Sequence, residues 1–184
     1  MSSRPTRRLL LAVIALVAVA SPLVGCSVEN TLPPPYCFES GSGLIVAQSV
    51  PTASQIPCFG DLPTGWTFGS VLVNEEQTVV RLDSDRVGDG AAVLRLEERC
   101  DTTGAVVSPS DQPAAERYDL IERLQPGLRA EQFYVFPGGC VWWTFDFDSG
   151  TSATEAVAVD DALELVSRAL LNEQLRTTFI DEEI

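Results

Sequence analysis

The stretch FYVFPGGCVWWTFDFD, residues 133–148, decides the fold. Two runs of aromatic and β-branched residues flank Pro137-Gly138-Gly139, and turn residues between alternating segments are the mark of an antiparallel hairpin. Side chains on a strand alternate between faces, so Val141, Trp143, Phe145 and Phe147 share one side while Trp142, Thr144, Asp146 and Asp148 share the other. The first set is wholly apolar and reads as core. The second mixes a tryptophan with two carboxylates and reads as solvent-facing or as a shallow site.

A lone hairpin is not stable in water, so further strands must join it. WTFGSVLVN (66–74), QTVVRL (77–82) and AAVLRLEERC (91–100) are the expected neighbours, with DSDRVGDG (83–90) as the loop between the last two. LIVAQSV (44–50), closed by Pro51, reads as one more strand. Two stretches read as helical. One spans Pro113 to Leu124, stopped by Pro126-Gly127, although RYDLI within it also suits a strand. The other follows Ser152-Ala153-Thr154-Glu155, a capping-box pattern, and carries Val159, Leu163, Val166 and Leu170 as an apolar stripe. Asp160, Asp161, Glu164 and Arg168 fall largely opposite that stripe, with Glu164 and Arg168 spaced as an i,i+4 pair. The expected fold is α+β: an antiparallel sheet of five or six strands with the C-terminal helix packed on one face.

The N-terminus reads differently. MSSRPTRR, with three arginines, precedes LLLAVIALVAVA, an apolar run too short for a membrane span of about 20 residues. Ser21 and Pro22 end the run, and Leu23-Val24-Gly25-Cys26 follows. These residues resemble the lipobox of bacterial lipoproteins. The resemblance implies that residues 1–25 are a cleaved signal peptide and that Cys26 becomes the acylated first residue. Two acyl chains supply the paired signal that stable anchoring needs. Thr6-Arg7-Arg8-Leu9-Leu10-Leu11 also resembles a twin-arginine export motif, but a plain charged leader accounts for it. Residues 26–36 then form the lipidated cysteine and a proline-rich tether, and residues 37–184 a single extracytoplasmic domain.

Composition narrows the chemistry. All 26 acidic residues follow Cys26, whereas Arg4, Arg7 and Arg8 precede it, so the chain beyond the cysteine is more acidic than the −14 of the whole. A surface of that sign excludes nucleic acid as a partner, since phosphate binding needs a basic face. The chain has neither histidine nor lysine. That removes the usual general base, Schiff-base chemistry and every Ser-His or Cys-His pairing. An enzyme here would rely on carboxylates, Tyr118 or Tyr134, a serine without histidine, or a bound ion.

With Cys26 acylated, Cys37, Cys58, Cys100 and Cys140 remain, an even set in an exported chain. Two disulfides are expected; three connectivities are open, and Cys37–Cys58 with Cys100–Cys140 is the favoured one. A four-cysteine zinc site lacks its usual CxxC spacing, and no metal or cofactor is expected. Asp83, Asp85 and Gly88 match three positions of a calcium loop, but Val87 and Leu94 stand where oxygen ligands belong. Asp146 and Asp148 beside Trp142 have the look of a glycosidase subsite, yet no second aromatic platform shares their face in the sequence.

AQSVPTASQIPC (47–58), Gly65-Trp66, LDSDR (82–86), CDTTGA (100–105), Pro109-Ser110-Asp111 and FPGGC (136–140) resemble patches of a family of actinobacterial envelope proteins with no assigned activity. The resemblance implies compartment and fold, and brings no catalytic residue. The expected role is therefore a membrane-anchored, non-enzymatic binding or scaffolding module on the extracytoplasmic side of the cell membrane. Its contacts would be membrane lipid, through Cys26, and an envelope protein with a basic face. A carrier or sensor of a small apolar molecule or lipid is the alternative, and a carboxylate-dependent hydrolase the third.

Overall fold

The structure is a computed structural model and describes residues 32–37, 42–148 and 153–180. The signal sequence, Cys26, the first tether residues and Ser152 of the capping pattern lie outside them. Along the chain come α1 (Ser42–Ser49), β1 (Gln55–Phe59), β2 (Trp66–Val73), β3 (Gln77–Ser84), β4 (Gly88–Glu97), β5 (Val106–Ser108), β6 (Glu116–Arg123), β7 (Arg129–Phe136), β8 (Gly139–Asp146), α2 (Thr154–Asp160), β9 (Leu163–Ser167) and α3 (Arg168–Ile180). Seven strands form one antiparallel sheet in the order β2-β3-β4-β8-β7-β6-β5, and β1 pairs with β9 in a separate ribbon.

The β7–β8 hairpin sits at the heart of the sheet. Tyr134 pairs with Val141, Gln132 with Trp143 and Ala130 with Phe145, and β4 sets Leu96, Leu94 and Ala92 on the other side of the same three residues. This inner face is covered by α1, α2 and the ribbon. Phe59 of β1 meets Trp143 edge-on at 5.9 Å, and Ser49 of α1 shares a hydrogen bond with Thr78 of β3 at 2.9 Å. Val141, Trp143, Phe145 and Phe147 are all buried, as their alternation required. Full burial of an apolar side chain of this size is worth about 1.5–3 kcal/mol.

Two disulfides brace this arrangement, Cys37–Cys58 and Cys100–Cys140. The first ties the leading segment to β1. Residues 32–36, assigned to the tether by their prolines, also lie against the fold: Leu32 N–H donates to Val71 O at 3.4 Å, and Phe59 N–H to Pro35 O at 2.9 Å. The second disulfide pins the β4–β5 connection over β8 as it crosses from the middle of the sheet to its edge, where Gly104 runs alongside Leu120.

Four expectations need correction. The sheets hold seven and two strands rather than five or six in all. LIVAQSV belongs to α1, because its apolar run has no period of two to hold it in a strand and only part of it is buried. The span expected as a helix from Pro113 is β6 from Glu116 onward, completing the sheet beside β7. The expected C-terminal helix is interrupted: the chain turns at Asp161-Ala162, and Leu163–Ser167 pairs with β1 before α3 begins. Glu164 and Arg168 therefore do not share a helix face as a pair. Glu155 does not complete a cap either; its carboxylate accepts from Trp66 Nε1 at 3.2 Å and from Arg86 at 3.1 Å.

Candidate functional site

Charged and polar groups converge at one place beneath the sheet. The α2 helix ends at Asp160, which points its carboxylate at the inner face of β7 and β8. Trp143 Nε1 donates to Asp160 Oδ1 at 2.8 Å, while Gln132 Nε2 and Tyr134 Oη meet Oδ2 at 2.5 and 2.8 Å. The second amide hydrogen of Gln132 reaches Tyr134 Oη at 2.8 Å. Its carbonyl oxygen accepts from Arg117 Nη2 at 2.9 Å, which fixes which way the amide faces. Arg117 also bonds Asp119 at 3.0 Å and approaches Asp160 at 3.7 Å. From the β5–β6 loop, Asp111 Oδ1 lies 3.2 Å from Tyr134 Oη. The next residue, Gln112, spans the edge of β9, donating to Leu163 O at 3.0 Å and accepting from Leu165 N–H at 3.3 Å.

Burial raises the Asp160 carboxyl above its ordinary range, and the donors Gln132, Tyr134 and Arg117 oppose that without undoing it. Burial also pushes the Tyr134 hydroxyl far up, with Asp160 adding to the effect. Burial works against the charge of Arg117, but Asp119, Tyr134 and Asp160 hold it above its ordinary value. Trp143 and Tyr134 are 0% exposed and Asp160 4%. A substrate has no room between these groups. The cluster instead fastens α2, β7, β8 and the β5–β6 loop together and gives a buried tyrosine and tryptophan the polar partners they need.

Sequence reasoning placed Asp160 on the solvent side of a continuous helix and so missed it. The available signal lay in β7, where Gln132 and Tyr134 alternate with Ala130 and Phe136 on the core side and therefore demand a buried partner.

The other sequence candidates are dispersed. Asp83 accepts from Gly90 N–H at 2.6 Å and closes the β3–β4 turn, while Val87 and Leu94 are both core residues, so the acidic loop is a hairpin connection. Asp146 bonds Arg129 at 2.6 Å and faces Arg123 at 3.8 Å, so it does not stand free beside Asp148. The four cysteines are oxidised in pairs, which leaves their sulfurs without the thiolate charge that binds zinc; Glu164 near Cys37 and Cys58 does not change this.

The outer face of the sheet is a different kind of surface. One cross-strand row runs through Leu72, Val79, Arg95, Trp142, Phe133, Tyr118 and Val107, one residue from each strand from β2 to β5. Phe133 stacks on Trp142 at 5.7 Å, and the Arg95 guanidinium lies 4.6 Å over the same indole. The second aromatic that the strand itself lacked is thus supplied by its neighbour, although both faces of Trp142 are occupied by protein. Beside the row, where the β2–β3 turn and the end of β4 meet the α1–β1 connection, opens a groove of about 540 Å³, lined by Pro51, Glu75, Glu76, Glu97, Glu98 and Arg99 among others.

No protein-family model matches the chain, and no curated protein matches it. A crystal structure from Bacteroides thetaiotaomicron VPI-5482 is similar at 12% sequence identity and a TM-score of 0.34, over 63% of this chain and 46% of that one. A likeness so slight assigns neither a shared fold nor a function.

Proposed function

We propose that the protein is a lipid-anchored binding or scaffolding module held at the cell envelope through Cys26, with a partner that presents a basic face. One observation carries the binding reading: Asp160, at the centre of the converging groups, is sealed in the core, and what the described domain offers to its surroundings is a half-buried sheet face with an acidic groove at its strand ends. Four of the groove's side chains are glutamates against one arginine. Complementary charge of that kind sets partner choice and encounter rate. The anchor rests on Leu23-Val24-Gly25-Cys26 after the charged and apolar leader. Five residues lie between Cys26 and Leu32, a reach of six chain steps, so the packed domain stands at most about 20 Å from its lipid. A carrier role draws no support from the space between helices and sheet, which Phe59, Trp143, Phe145 and Phe147 fill.

The test is crosslinking in cells from a photoreactive residue at position 76, in the wild type and in Cys26→Ser. A single salt-sensitive adduct in the wild-type membrane fraction is expected. Cys26→Ser is expected to appear folded in the soluble fraction without that adduct. A variant that stays membrane-bound sinks the anchor, and an adduct pattern indifferent to salt sinks the basic-faced partner.

A further inference from the structure

Tyr134 has one hydroxyl proton and two carboxylates to satisfy. Its oxygen already accepts from Gln132, whose amide orientation Arg117 fixes. The proton can go to Asp160 Oδ2 at 2.8 Å or to Asp111 Oδ1 at 3.2 Å, not to both. If Asp160 is ionised it takes the proton, being the nearer and better buried, and Asp111 then faces a lone pair. If Asp160 is protonated it donates to the tyrosine oxygen, and the tyrosine's own proton is free for Asp111. One added proton therefore completes every hydrogen bond in the cluster.

We propose that Asp111, Tyr134 and Asp160 form a proton-operated latch: with Asp160 protonated the 109–115 loop is held on Tyr134, and with Asp160 ionised that hold is lost and Gln112 leaves β9. The charged and titratable groups facing Asp160 agree with this. Arg117 and Asp119 come from β6, Tyr134 from β7 and Asp111 from the loop, while β8 contributes only the neutral Trp143. Asp119 and Asp160 thus share one guanidinium, with Asp111 across the Tyr134 hydroxyl, and an extra proton lowers the excess negative charge. Burial of Asp160 favours the same protonation. The loop is suited to move, because Asp111, Pro113 and Ala114 are exposed and its side-chain hydrogen bonds to the body run through Asp111 and Gln112, while the partly buried Ala115 packs on the core at the β6 end. Its release bares Leu163 O and Leu165 N–H, a backbone pair on the edge of β9.

Amide exchange at Leu165 reads the latch directly, since its N–H donates to Gln112. In the full-length chain, Leu165 protection corrected for intrinsic exchange should fall about fivefold between about pH 5.5 and pH 8, the change expected from one hydrogen bond. Leu94, in the middle of the sheet, serves as the control and should stay level. Asp111→Asn can donate its amide to the tyrosine oxygen when Asp160 is ionised and accept the tyrosine's proton when Asp160 is protonated, so it holds at any pH and should abolish the fall. Equal Leu165 protection at both pH values, a parallel loss at Leu94, or an undiminished fall in Asp111→Asn overturns the latch.

Discussion

Arg168 brings a positive charge into the seam between β9 and the end of α1, where carbonyl groups meet it. Its Nε donates to Ala53 O at 2.6 Å, and Nη2 donates to Ala47 O at 2.8 Å and Val50 O at 2.7 Å. The last carbonyls of a helix have no intrahelical donor and carry the negative end of its dipole, so a guanidinium there satisfies both needs. Burial lowers the pKa of Arg168, but from so high a value that the charge persists. Arg168→Ala should lower the unfolding free energy by about 1.5–3 kcal/mol, the range for hydrogen bonds to a charged group. Arg168→Lys should recover only part of that loss, because one ammonium cannot reproduce the planar fork of donors. Urea titration of the three proteins checks both statements, and an unchanged midpoint in Arg168→Ala would contradict them.

At the scale of elements the two disulfides divide the work unequally. Closing a longer loop removes more entropy from the unfolded chain, so Cys100–Cys140, separated by 40 residues, should contribute about 4 kcal/mol and Cys37–Cys58, separated by 21, about 3 kcal/mol. Paired Cys→Ser variants measured by denaturant unfolding should show that order; the reverse order would mean that anchoring the leading segment on β1 matters more than loop length. Both hairpins around the core were legible because an alternating strand announces its own buried face. The elements that were misread lacked that signal or carried a false one. LIVAQSV is apolar without alternation. Val159, Leu163, Val166 and Leu170 happen to stand at helical spacing, although a turn at Asp161-Ala162 places two of them on a strand. That one turn also hid the cluster, since it is what directs Asp160 inward. The outer-face row was illegible for another reason: its residues lie on seven strands and meet only through register, which no single segment encodes.

The whole molecule is strongly acidic, with 26 acidic against 12 basic residues and an isoelectric point near 4.2. Two effects then act on stability as pH falls from neutral, and salt separates them. Mutual repulsion among surface carboxylates is relieved as they protonate, but this contribution is largely screened once the Debye length drops to a few ångströms. The second effect is buried. Asp160 and Glu131 are both raised by burial, with Glu122 adding to the rise at Glu131. A carboxyl whose folded pKa exceeds its unfolded one binds its proton more tightly in the native state. Its contribution is complete below the unfolded value, about 4, and is lost as pH rises through the folded value. Unfolding midpoints in urea should therefore increase as pH is lowered from about 8 to about 5, steeply at about 10 mM salt and less steeply, but still measurably, at about 0.5 M. Below about 4 the trend should reverse, as carboxylates held ionised by hydrogen bonds, such as Asp101 with Thr103, lose them. A flat profile at high salt would show that native Asp160 binds its proton no more tightly than the unfolded chain does, and would remove the thermodynamic basis of the latch along with it.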